Sequence, residues 1–214
     1  MAVSFATWAE LQAAIEAWTD IDVSDAQVQE FIGLAEDHFQ LSVFTPDREE
    51  ALSLSADAAS EALPSDFWGF KSGPYVDGSP DVVLQRVTPG ELRALYPSSP
   101  TGTPRHFAIE GETILFGPVP ASATAIKGTY WKTIPPLSGA ATSNWLLLLH
   151  PSLYLYGSLA EAFAFHMDEA RELKWMARRD QLIETINRAG SRRASNSGPL
   201  VANRHTHNIR NIQA

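Results

Sequence analysis

Residues 24–55 read SDAQVQEFIGLAEDHFQLSVFTPDREEALSLS, and the hydrophobic period changes inside this stretch. Ser24 and Gln27 form a capping box, in which each side chain satisfies a backbone N–H that the first helical turn leaves unpaired. Val23 can staple onto Val28. Val28, Phe31, Ile32, Ala35 and Phe39 then recur at three- and four-residue steps, one apolar face of a helix. Glu30, Glu36 and Asp37 are expected to face water. The helix stops before Pro46, whose ring disfavours helical backbone at the preceding residue. From about Glu49 the period falls to two, and Ala51-Leu52-Ser53-Leu54-Ser55 alternates like a half-buried strand. Helix passing into strand makes the chain α+β.

Upstream, Thr7 and Glu10 make another capping box, followed by an apolar face of Trp8, Leu11, Ile15 and Trp18. Asp20 and Asp22 break that pattern, so two helices joined by a tight turn are expected to lie antiparallel. Downstream, Leu63 to Phe67 reads as a turn into an extended piece, and Asp81 to Val87 as strand. Thr88-Pro89-Gly90-Glu91 starts a short helix that ends near Tyr96-Pro97. Arg105–Glu110 and Thr113–Phe116 flank Gly111 as a hairpin. Ala125 to Thr133 is a further strand, ended by Pro135-Pro136. Helix returns with a short turn over Asn144–Leu149 and a helix from Pro151 to about His166. Asp168 caps a last helix with Leu173, Met176, Ile183 and Ile186 on its apolar side, ending near Gly190.

The expected fold is therefore α+β and mainly helical: an antiparallel helical bundle with an inserted small antiparallel β unit and an extended C-terminal tail. Residues 1–47 supply the N-terminal helices, 48–138 the β-rich insertion with one short helix, 139–190 the C-terminal helices, and 191–214 a basic tail. The greasy stretch from Trp145 to Phe165 contains His150, Pro151, Gly157 and Glu161, which suits buried core rather than a membrane span. The stretch from Met1 to Trp8 lacks the basic and apolar regions of a secretory leader.

Charge is unevenly spread. From Arg171 to Ala214 there are nine basic and three acidic residues, a net of +6; the rest holds seven basic and twenty-two acidic, a net of −15. Such an acidic body repels nucleic acid and gains solubility from its charge. The basic end either docks on something or balances the body's own field. Arg171, Lys174, Arg178 and Arg179 sit at helical spacing and complement the helix dipole. Arg192, Arg193, Arg204 and Arg210 fall outside any predicted helix. Aliphatic Leu200, Val201, Ile209 and Ile212 are scattered among them, which suits a peptide that orders in a protein groove. A nucleic-acid tail is normally denser in Lys and Arg; a disordered end is the plain alternative.

Chemistry-bearing motifs are scarce. The chain has no cysteine, which excludes disulfides, thiolate metal sites and cysteine nucleophiles. His205 and His207, or His166 and Asp168, lack the spaced partners of a metal site, and no cofactor is implied. No phosphate-cradling glycine loop and no nucleophile elbow occurs. Paired carboxylates at Glu36-Asp37 and Glu49-Glu50 raise the alternative of a virion-associated cell-wall hydrolase, which needs two facing carboxyls across a cleft. A solvated acidic face is the plainer account. A nucleic-acid-binding module is the third reading, and it predicts steeply salt-dependent binding.

Several stretches carry a resemblance: Phe31-Ile32-Gly33-Leu34-Ala35-Glu36 with Arg48-Glu49-Glu50-Ala51; Leu63-Pro64-Ser65-Asp66-Phe67; Gly102 to Ile109 running into Ile114 to Pro120; Tyr130 to Ser138 continuing to Asn144-Trp145-Leu146-Leu147; and His150 to Gly157. In order and spacing they resemble a family of tailed-bacteriophage head-to-tail connector proteins, the adaptors beneath the portal. The resemblance implies a non-enzymatic structural protein of the virion, made in the host cytoplasm, with a helical body and a β-rich insertion. It implies a homo-oligomeric ring of about twelve copies, binding the portal above and tail or nozzle proteins below, with DNA passing through unbound and no membrane partner. In such adaptors the C-terminal segment docks on the portal. That role falls here on Arg192, Arg193, Leu200, Val201, Arg204, His205, Ile209, Arg210 and Ile212.

Overall fold

The computed structural model of the chain describes residues 5–20 and 23–195. Asp22 and the proposed tail residues Leu200, Val201, Arg204, His205, Ile209, Arg210 and Ile212, with His207, lie outside the described residues.

Helix α1 (Trp8–Thr19) and helix α2 (Asp25–Ser42) begin at the expected capping boxes on Thr7 and Ser24. A 3-10 turn at Pro46–Arg48 leads into strand β1 (Glu49–Ala56). Strands β2 (Ser60–Ala62), β3 (Phe67–Val76), β4 (Val82–Val83) and β5 (Gln85–Arg86) follow. Helix α3 (Pro89–Leu95) starts at the Thr88 capping box. Strands β6 (His106–Glu110), β7 (Thr113–Gly117) and β8 (Thr124–Lys132) complete the insertion. Helices α4 (Trp145–Leu149), α5 (Pro151–Phe165) and α6 (Glu169–Ala194) return the chain to the helical part.

The β unit is two four-stranded sheets, ordered β1-β8-β3-β4 and β2-β7-β6-β5. It is not wholly antiparallel as expected, because β5 pairs with β6 in parallel, Gln85 opposite His106. The chain between these two strands is occupied by α3, and a crossover of that kind delivers a parallel neighbour. The β6–β7 hairpin turns at Gly111–Glu112, with φ +61° at Gly111. Positive φ at the first loop position alone is the type II′ pattern, which glycine adopts without strain. Ala56, Leu63, Val76, Leu84, Phe107, Ile114, Phe116 and Ile126 form the core of this unit.

The helical part has its own core, centred on α5. Leu153, Tyr154, Leu155, Leu159, Ala160, Ala162 and Phe163 are all buried on that helix, against α1, α2 and α6. At Gly157 an added Cβ would meet Phe39 Cζ at 2.6 Å and Ala35 Cβ at 3.0 Å, so α2 and α5 pack at glycine distance. Most of the greasy 145–165 stretch is thus core, with Leu148, Leu149 and Phe165 exposed, and no helix among the described residues is long and apolar enough to cross a membrane.

Three expectations on the helices are corrected. Glu36 does not face water: its Oε1 accepts hydrogen bonds from Leu137 N (2.9 Å) and the Tyr154 hydroxyl (3.0 Å). On α6, Leu173 is exposed while Trp175 and Arg179 are buried. The helix passes Gly190 and runs to Ala194, because Gly190 is a close contact rather than a stop; an added Cβ there meets Pro46 Cδ at 3.0 Å.

Candidate docking surfaces

The C-terminal end of α6 is seated on the loop between α2 and β1. Asn187 holds that loop as a neighbouring strand would, its Oδ1 accepting from Phe44 N and its Nδ2 donating to the Ser42 carbonyl, both at 2.8 Å. One turn on, Gly190 lies against Thr45 and Pro46. Arg193 then donates from Nη1 (2.8 Å) and Nη2 (3.1 Å) to the two oxygens of Asp47. This fork holds the Asp47 carboxyl below its ordinary range and raises the guanidinium in return. His150 nearby is pushed down, chiefly by burial.

Beside this seat opens a groove lined by Phe44, Pro46, Glu49, Lys71, Trp131 and the Gly190–Ser195 end of α6. Lys71 pairs with Glu49 and lies over the Trp131 ring. The described chain ends at Ser195, on the rim of this groove.

Arg192 and Arg193, expected outside any helix, are on the last turn of α6. Both are exposed. Arg193 is engaged by Asp47 of its own chain, while Arg192 has no acidic partner among the described residues.

Under the groove lies Arg48, fully buried. Its Nε donates to the Lys132 carbonyl (2.7 Å), and its Nη1 to the carbonyls of Gln40 (2.9 Å) and Val43 (2.8 Å). The guanidinium stacks on Trp68 and Phe44, 4.7 and 5.3 Å from the ring centroids. Burial lowers its pKa to about 10, which leaves it charged at neutral pH. Sequence reading missed Asp47, Arg48 and Asn187 as organisers. Their partners are backbone groups or side chains distant in sequence, and no local pattern signals those.

The carboxylate pairs do not make a hydrolytic cleft. Glu36 points into the helical core and Asp37 to solvent. Glu49 and Glu50 are neighbours on β1, so they project from opposite faces, one pairing with Lys71 and the other with Lys132. Among the described residues no group of three or more His, Asp or Glu is placed to hold a metal.

The model of one known protein family, SU10 adaptor protein, matches residues 6–203. The match covers α1, the whole insertion and α6. The chain belongs to the SU10 adaptor protein family. This is a phage head-tail adaptor family. No curated protein matches the chain. Family membership makes this a phage adaptor with a structural role, and nothing supports the hydrolase reading.

Proposed function

We propose that this SU10-family chain is the head-to-tail adaptor of a tailed phage particle. It forms a ring of about twelve copies beneath the portal, closed by helix-to-helix packing. The ring accepts tail or nozzle proteins below, and DNA passes through its hole unbound. The chain is made in the host cytoplasm and resides at the head–tail junction of the virion. The observation that carries this reading is the family match across both the helical part and the insertion.

Two physical points support it. Excess acid on residues 1–170, where lining the hole, gives a weakly repulsive wall, and phosphate contacts would retard passage. The segment after Ser195 is polar, basic and sparsely aliphatic, so ordering it requires a partner's surface. Leu200, Val201, Ile209 and Ile212 are its anchors, and Arg204, His205 and Arg210 its polar contacts on the portal.

The test is co-expression with the portal, comparing the intact chain with one ending at Ser195, read by native mass and electron microscopy. The shortened chain should keep its circular dichroism and lose portal attachment. Attachment at full occupancy by the shortened chain would remove the latch from the tail.

A further inference from the structure

Helix α2 buries one face and carries a second pattern on the other. Glu30, Leu34, Asp37 and Leu41 recur at four, three and four residues, one continuous stripe, and all four are exposed. Leu34 is 53% exposed and Leu41 69%. Two leucines seven residues apart, with one acid between them and another a turn before, are the pattern of a helix seam that meets a partner. Neither Glu30 nor Asp37 has a cationic partner among the described residues.

The complement lies on α6. Lys174 and Arg178 are exposed and have no acidic partner among the described residues. Beside them is a hollow lined by Tyr156, Arg178, Gln181, Leu182 and Thr185. Tyr156 and Leu182 are half-buried against the helical core and give the hollow an apolar wall. The hollow cannot be filled by the same copy's stripe. Asp180 and Asn187 mark the α6 flank that meets α2, through His38 (3.7 Å) and the Ser42 carbonyl (2.8 Å). Arg178 precedes Asp180 by two residues and projects about 160° away at ~100° per residue.

We infer that the Glu30–Leu34–Asp37–Leu41 stripe of one copy seats in the Tyr156–Leu182 hollow of a second copy, with its acids facing Lys174 and Arg178. The occupant is a second copy because the charges match in sign and the leucines meet the Tyr156–Leu182 side of the hollow, whose other side is polar. Donor and acceptor are different surfaces, so the contact is heterologous and repeats from copy to copy, closing into a ring where the rotation allows. The inference rests on the self-assembling adaptor read above and names the faces that meet.

The chain has no cysteine, so introduced pairs report cleanly. Leu41→Cys and Thr185→Cys are placed together in the full chain and oxidised, in concentrated protein and in portal co-expression. The expected result is a ladder of disulfide-linked multimers. A mixture of the two single variants should give a linked dimer and nothing larger. Asp37→Arg and Arg178→Asp should each cut the yield of linked dimer about tenfold, and recover it when a copy bearing one meets a copy bearing the other. Multimers without linkage would overturn this contact and leave the ring standing. No multimers and no linkage under either condition would overturn both. Linked dimers from Leu41→Cys alone would replace it with an α2-to-α2 contact.

Discussion

Glu36 shows how a single carboxyl ties the helical part together. It accepts from Leu137 N and from Tyr154, whose hydroxyl in turn accepts from Asn144 Nδ2 at 2.7 Å. Asn144 also caps α4 and donates to the Pro135 carbonyl. Burial outweighs the two donors and pushes the Glu36 pKa up to about 7 from 4.5. The folded chain therefore holds this proton more tightly than the unfolded chain does. The stabilisation is complete below pH about 4.5 and is lost as pH rises to about 7. Glu36→Gln keeps an acceptor oxygen without the titration. Its thermal midpoint should match the wild type's near pH 5 and exceed it near pH 8. A gap that stays constant across this window in melting experiments would show that Glu36 does not titrate there.

At the scale of elements, the α2–α5 crossing depends on Gly157. Alanine there gains helix propensity of about 1 kcal/mol over glycine. It also drives a methyl to within 2.6 Å of Phe39 Cζ, a ring that is fully buried and cannot swing away. Overpacking in such a core costs about 1–3 kcal/mol, so the clash wins. Gly157→Ala should lower the urea midpoint without changing its slope, whereas an unchanged or raised midpoint would mean that the helices separate easily. The helix starts were legible because capping is local: Thr7, Ser24 and Thr88 each bond within three residues. Strand β2 was not, since three residues carry no period. On α6 the expected Met176, Ile183 and Ile186 do face the core, Leu173 does not, and the sequence gives no sign of a buried Arg179. Its guanidinium is buried against Glu161 (3.6 Å) and Asp180 (2.9 Å), and the buried face follows Trp175 instead of Leu173. Gly190 was read as a stop because a glycine that ends a helix and one that admits a close neighbour look alike in sequence.

At the scale of the molecule, the division of charge and the helix–strand–helix order were legible, since both are sums over many residues. The docking elements were not, because they depend on contacts between segments far apart in the chain. Arg48 is the clearest case. The helical core and the β core are separate clusters, and the guanidinium joins the end of α2, through Gln40 and Val43, to the end of β8, through Lys132. Phe44, Trp68 and Trp131 pack around the same joint. Arg48→Met keeps an unbranched apolar stem and removes every donor. Three carbonyls, that of Val43 buried and those of Gln40 and Lys132 part-buried, then lose a partner, at a cost of about 3 kcal/mol. Lysine should not rescue it, because one ammonium cannot reach carbonyls on both sides as the fork does. The loss falls on the joint, so it should uncouple the two cores more than it weakens either. In hydrogen exchange followed by mass, β8 and α5 of the wild type should share their slowest opening. In Arg48→Met, β8 should exchange at lower urea than α5. Equal shifts in both would transfer the coupling to the aromatic cluster and leave Arg48 a contributor to stability alone.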